Sequence, residues 1–206
     1  MSKAITILNY GVGNVAAFER AFHDLGASTV VGDTPKKIIE ASKLVLPGVG
    51  SFDWALTKLE QSGFKDSLKL AVERGTPILG VCIGMHMLFD QSEEGVLEGF
   101  GWIPGRVVKV QNLFGNKSIV TPIMGWCNVD VVKDNDILVR NGGNRFYFLH
   151  SYAAAPDDPN VVIAQTNVGG PIVAAVRHKN IYGSQFHPEK SHRWGREFLK
   201  NFWVAG

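Results

Sequence analysis

A cysteine set between glycines, Gly80-Val81-Cys82-Ile83-Gly84, is the segment whose residue types could do chemistry most directly. It follows the apolar run Pro77-Ile78-Leu79 and precedes Met85-His86-Met87-Leu88-Phe89, which reads as helix. Strand, glycine-flanked nucleophile, helix is the pattern of a nucleophile elbow. The turn is too sharp for side chains at the flanking positions, and it holds the cysteine in a strained conformation with its sulfur above the sheet. A thiolate there would lie beside the first amides of the following helix, which favour negative charge.

A cysteine nucleophile needs a base and an oxyanion site. Gln185-Phe186-His187-Pro188-Glu189 ends the last expected strand. His187 can serve as general base, and Glu189 can hold its imidazole in the useful tautomer. Positions two apart in an extended segment point the same way, so the two side chains can share a side. In Pro47-Gly48-Val49-Gly50 the glycines let a backbone amide turn into the site, and the amides of Val49 and Ile83 could form the oxyanion hole. Gly48 and Gly50 would also make reorientation of the Val49 peptide sterically easy. Each part has a plainer reading: a small core cysteine, a surface histidine beside a glutamate, a Pro-Gly turn. The loop Gly11-Val12-Gly13-Asn14 lacks the full dinucleotide fingerprint. No cofactor and no metal are expected.

The elements that must position these residues alternate in the first half. Ala4–Leu8, Ser28–Val31, Lys43–Leu46 and the run before Cys82 read as buried strands. Val15–Leu25, a stretch near Trp54–Leu59 and Lys65–Glu73 read as helices. Strands separated by helices imply parallel pairing, with function at the strands' carboxyl ends. The second half reads as strands at Arg106–Val110, Asn128–Val132, Arg145–Tyr152, Val161–Gln165, Ile172–Arg177 and Ile181–Phe186. A hairpin turns at Lys179-Asn180. Ser191–Val204 is a closing amphipathic helix with Trp194, Phe198, Leu199 and Phe202 inward. The expected architecture is one α/β domain over residues 1–206: an open, mostly parallel sheet flanked by helices, with an antiparallel extension.

Composition fits that frame. The 206 residues include 45% hydrophobic and 19% charged side chains, with a net charge of +2. Nothing in that balance points to nucleic acid or a membrane surface. No run approaches the roughly 20 apolar residues of a membrane span. The apolar part of the first eight residues is too short for a signal peptide. Two cysteines, Cys82 and Cys127, are poor evidence for an oxidising compartment. The expected location is cytoplasmic.

Gly80–Gly84 together with His187-Pro188-Glu189 resembles the class I (triad) glutamine amidotransferases. Further stretches narrow the resemblance to the glutaminase subunits of imidazole glycerol phosphate synthases. These are Asn9-Tyr10-Gly11-Val12-Gly13-Asn14, Leu46–Gly50, Met124-Gly125-Trp126, Phe146–Tyr152 and Gln185–Ser191. The resemblance covers essentially the whole chain. It implies that Cys82 attacks the side-chain amide of glutamine, with His187 moving the proton and Glu189 orienting His187. It implies that Gly50, Glu94, Ser151 and Tyr152 contact glutamine, with His86 beside them. It places Asn14, Met124, Trp126, Tyr147 and Lys190 toward a partner subunit, a (β/α)8-barrel cyclase that forms a heterodimer with this chain. Ammonia would pass to that partner, which makes imidazole glycerol phosphate and an aminoimidazole carboxamide ribotide in histidine biosynthesis. The chain is itself too short to contain such a barrel of about 250 residues.

Three residues depart from the family pattern. His86 stands where glutamine is usual, Ile123 where histidine precedes Met124, and Cys127 where asparagine follows Trp126. They read as drift within the family. The alternative is a related glutaminase that supplies ammonia to a sugar-amidating synthase of surface polysaccharides.

Overall fold

The computed structural model describes residues 4–115, 119–140 and 143–205. The outer ends of the domain expected over residues 1–206, including Met1 to Lys3 of the apolar N-terminal segment, lie outside them. In chain order the first half runs β1 (Ile5–Leu8), α1 (Val15–His23), β2 (Thr29–Gly32), α2 (Pro35–Ile39), β3 (Leu44–Gly48), α3 (Phe52–Ser62), α4 (Lys65–Glu73), β4 (Ile78–Cys82) and α5 (Ile83–His86). The second half runs β5 (Gln91–Ser92), β6 (Gly105–Lys109), β7 (Ile123–Val131), β8 (Arg145–His150), β9 (Tyr152–Pro156), β10 (Val162–Asn167), β11 (Pro171–His178), β12 (Ile181–Ser184) and α6 (His192–Val204).

Nine strands form one sheet in the order β2-β1-β3-β4-β12-β11-β10-β7-β8. The first five are parallel, and the last four join antiparallel. β1, β3, β4 and β12 are buried along their whole length, as continuous apolar strands in the middle of a covered sheet must be. A second sheet, β5-β6-β9, stands apart. The fold class read from the sequence is the one observed.

The differences have local causes. α2 was not anticipated, although Thr34 caps its start by accepting from the Lys37 amide and Pro35 occupies its first turn. The helix expected through Phe89 stops at His86. The carbonyls of Met87, Leu88 and Phe89 instead accept from Phe100, Ile103 and Gly101, so the following loop takes the bonds that would extend the helix. The single strand expected over Arg145–Tyr152 breaks at Ser151. β8 pairs with β7 in the large sheet, and β9 pairs with β6 in the small one. In α6, Phe198, Leu199 and Phe202 are buried as expected, but Trp194 is half-buried under the Arg193 guanidinium.

The parallel register brings the carboxyl ends of three strands together. Gly48 of β3 lies opposite Cys82, and Ser184 of β12 lies opposite Val81. The segment that follows β12 therefore leaves the sheet beside Cys82. It is held from the other side by β8: the His187 amide donates to the Tyr147 carbonyl, and Phe186 stacks on Phe146 at 3.9 Å.

Candidate active site

Cys82 ends β4 with φ 55° and ψ −112°, a left-sided conformation that costs a non-glycine residue about 1–3 kcal/mol. The close fit around it explains the flanking glycines. A Cβ on Gly84 would fall inside the radius of the Leu46 carbonyl oxygen, and one on Gly48 inside that of the Gly84 amide. Gly48 is thus fixed by contact within β3. The backbone freedom expected in this loop is on the far side of Val49, at Gly50 with φ +84°.

His187 and Glu189 meet as expected, by a different geometry. The chain does not stay extended: it enters a short 3-10 turn at Pro188–Lys190. His187 Nδ1–H donates to Glu189 Oε1 at 2.9 Å, and both side chains are 3% exposed. The Ser191 hydroxyl fixes the turn, donating to the His187 carbonyl at 2.6 Å and accepting from the Tyr147 amide at 3.0 Å. His187 and Cys82 line the same cavity and interact across it, and the Cys82 sulfur lies 3.9 Å from the Leu149 carbonyl oxygen. Burial alone would lower the His187 pKa, but hydrogen bonds to Cys82 and Glu189, and the charge on both, raise it to about 9.

A cavity of about 320 Å³ opens over Cys82. Val49, Gly50, Ile83, His86, Glu94, Ser151, Tyr152 and Lys190 all line it, so every residue read as oxyanion or substrate-binding reaches one space. Glu94 Oε2 accepts from the Phe52 amide at 3.0 Å, tying the 92–97 turn to the start of α3. Burial raises its pKa; the Phe52 bond works against the rise, and the charge of Asp53 adds to it. The loop after β3, read as the oxyanion site, is pinned behind the cavity: the Tyr10 hydroxyl donates to the Pro47 carbonyl at 2.7 Å.

Of the residues read as partner-facing, Trp126, Tyr147 and Lys190 lie together, with Tyr147 half-buried. Met124 is 68% and Trp126 37% exposed. The Trp126 ring meets Tyr147 edge-on at 6.3 Å, and Lys190 Nζ lies 5.9 Å above Tyr147. Asn14 is exposed and caps α1 by accepting from the Ala17 amide. Cys127 is half-buried with a free thiol, as is the thiol of Cys82.

Three contributors went unassigned in the sequence. Gln185 is wholly buried, with its side chain between His86 and Cys82. His150 donates through Nδ1 to the Tyr152 carbonyl, and Tyr10 holds Pro47. Alternation was the available signal for Gln185, since it sits two residues before His187 on an extended segment.

Fold and site together define an α/β protein with a cysteine at a strand-to-helix elbow beside a buried His–Glu pair. Residues 6–205 match the family described as Glutamine amidotransferase class-I, and the chain belongs to that family. Its relatives include the imidazole glycerol phosphate synthase subunit HisH of Leptospira interrogans, 44% identical over 96% of this chain and 98% of that one. The subunit of the same name from Bdellovibrio bacteriovorus is 42% identical over the same shares. Among solved structures, one described as glutamine amidotransferase has a TM-score of 0.67 at 20% identity, covering 98% of this chain and all of that one. The structure of PurLQS from Thermotoga maritima has a TM-score of 0.65 at 18% identity, with 98% of each chain covered. These two likenesses concern the fold.

Among the described residues, no helix is long and apolar enough to cross a membrane, and no cluster of three His, Cys, Asp or Glu side chains is placed to hold a metal ion.

Proposed function

We propose that this chain is the glutaminase subunit of an imidazole glycerol phosphate synthase, hydrolysing glutamine and passing the ammonia to a partner. The family and the relatives' names support that reading. The observation that carries the chemistry is the buried Glu189–His187 hydrogen bond at the wall of the cavity that opens over Cys82.

The steps follow from that line. Cys82 sulfur, as thiolate, attacks the side-chain carbonyl carbon of glutamine, forming an S–C bond. The amides of Val49 and Ile83 receive the oxyanion. His187 gives its proton to the nitrogen as the C–N bond breaks, and ammonia leaves a glutamyl thioester. His187, now neutral, takes a proton from water. The hydroxide adds to the thioester, glutamate departs, and the Cys82 thiolate and His187 imidazolium are restored. Glu189 holds the ring in register throughout. Glu94 takes the α-ammonium group of glutamine, and Gly50, Ser151 and Tyr152 line the rest of the substrate.

Ammonia released into water would largely protonate and cease to be a nucleophile. A glutaminase serving synthesis therefore needs a sealed neighbour. The partner is a (β/α)8-barrel cyclase seated on the face of Asn14, Met124, Trp126, Tyr147 and Lys190. Exposed aromatics with a cation beside them suit such an interface. The test is reconstitution with the barrel subunit from the same organism. Glutamate release should rise at least tenfold on adding it, and equal turnover with and without the barrel would contradict the reading.

A further inference from the structure

His86 and Gln185 form a buried polar chain that ends on the nucleophile. His86 is 1% exposed and Gln185 wholly buried. His86 Nε2 lies 2.8 Å from Gln185 Oε1. His86 Nδ1 is buried without a partner, and an unpaired ring acceptor costs less there than an unpaired N–H, so the hydrogen sits on Nε2, which donates to the amide oxygen. That bond settles the orientation of the amide, whose Nε2 group then faces Cys82 Sγ at 4.0 Å. The ring can play this part because burial pushes its pKa down to about 4, against the smaller upward pull of the Gln185 bond, so it stays neutral near pH 7.

We propose that Gln185 is a further catalytic residue, a side-chain donor aimed at the Cys82 sulfur, and that His86 is the positioning residue that holds it there. His86 thus acts on the nucleophile through Gln185, in place of the grip on glutamine expected of it. The thiolate is approached from two sides: His187 supplies a charge and Gln185 a neutral donor. A sulfur at 4.0 Å is a weak acceptor as a thiol. As a thiolate it accepts strongly, so the amide favours the ionised form. The other titratable groups around the sulfur are His187 and Glu189 from the segment after β12, His150 from β8, and Glu94, Tyr152 and Lys190 from the cavity wall. None of them touches the Gln185 amide, and both of its ends are accounted for by His86 and Cys82.

This inference rests on the glutaminase reading only for its purpose. Its test uses iodoacetamide, which reports the thiolate without glutamine. In the intact protein, the rate of Cys82 alkylation is followed against pH, with the adduct located by peptide mass spectrometry to separate it from Cys127. Gln185→Leu should move the midpoint up by about one pH unit. His86→Leu should move it in the same direction, and the double variant no further than Gln185→Leu alone. His86→Gln should recover most of the shift, because its amide can still donate to Gln185 Oε1. An unmoved midpoint in folded Gln185→Leu overturns the proposal. So does a His86→Leu variant that raises KM for glutamine while leaving the midpoint in place. If Gln185→Leu does not fold, the contrast between His86→Leu and His86→Gln decides the matter in the same way.

Discussion

Tyr10 and Pro47 are joined by a 2.7 Å hydrogen bond from the phenolic hydroxyl to the backbone carbonyl, buried where the loop after β1 meets the end of β3. The same loop presses on Pro47 at Gly13, where a Cβ would collide with the proline ring. The peptide entering the oxyanion loop is therefore fixed from behind. Tyr10→Phe keeps the ring and removes only this bond. It should lower stability by about 1 kcal/mol and reduce kcat for glutamine several-fold, with KM little changed. Thermal unfolding and steady-state kinetics check the two parts, and an unaltered kcat would remove Tyr10 from the account.

Three buried histidines set opposite pH limbs. Burial pushes His86 to about 4. Burial also pushes His150 to about 4, with the charges of His86 and His187 adding to the fall and the Tyr152 bond opposing it. Between about pH 6.5 and 4 the unfolded chain binds more protons at these two rings, so stability falls as pH drops through that window. His187, raised to about 9, behaves in reverse: its contribution is complete below about 6.5 and is lost as pH rises through 9. Denaturant unfolding against pH should show a maximum near 6.5. Glutaminase turnover should also decline above about 9, as the imidazolium is lost. A stability that climbs steadily to pH 9 would contradict this assignment.

Gly84 tolerates no side chain. Gly84→Ala would drive a methyl group into the Leu46 carbonyl of the neighbouring strand, where only backbone can yield. The expected cost is at least about 3 kcal/mol, read as a large fall in the unfolding midpoint or loss of soluble protein. A variant of near-normal stability would mean that the elbow is looser than this geometry.

Glu94→Gln separates charge from shape. The amide oxygen can still accept from the Phe52 amide, so the 92–97 turn should hold. With Glu94 as the proposed ammonium partner, loss of its charge should raise KM for glutamine roughly tenfold, about 1.4 kcal/mol, with kcat changed far less. An unchanged KM would move the ammonium site elsewhere on the cavity wall.

Much of this was legible before any coordinates. Continuous apolar runs gave the parallel strands, because a strand covered on both faces has no polar side to alternate with. The glycines around Cys82 marked the elbow, because close backbone approach excludes a Cβ. What stayed hidden depended on contacts distant in the chain. The stop of α5 at His86 is set by amides at residues 100, 101 and 103 taking the carbonyls of Met87, Phe89 and Leu88 just beyond it. The break at Ser151 is set by β6, which draws β9 into the small sheet. Gln185 and His86 stand 99 residues apart, and no local pattern announces that they meet. His187 and Glu189 are hydrogen-bonded, although the backbone between them turns where continued extension was expected.

The most direct test of the whole account is to trap the covalent intermediate. The protein, saturated with its barrel partner, is mixed with glutamine, quenched in acid within the first turnovers and digested for mass spectrometry. A glutamyl adduct on the peptide containing Cys82, absent from a Cys82→Ser variant that also releases no ammonia, is the predicted result. Continued release of ammonia by that variant, or a glutamyl adduct at Cys127 and none at Cys82, would contradict it.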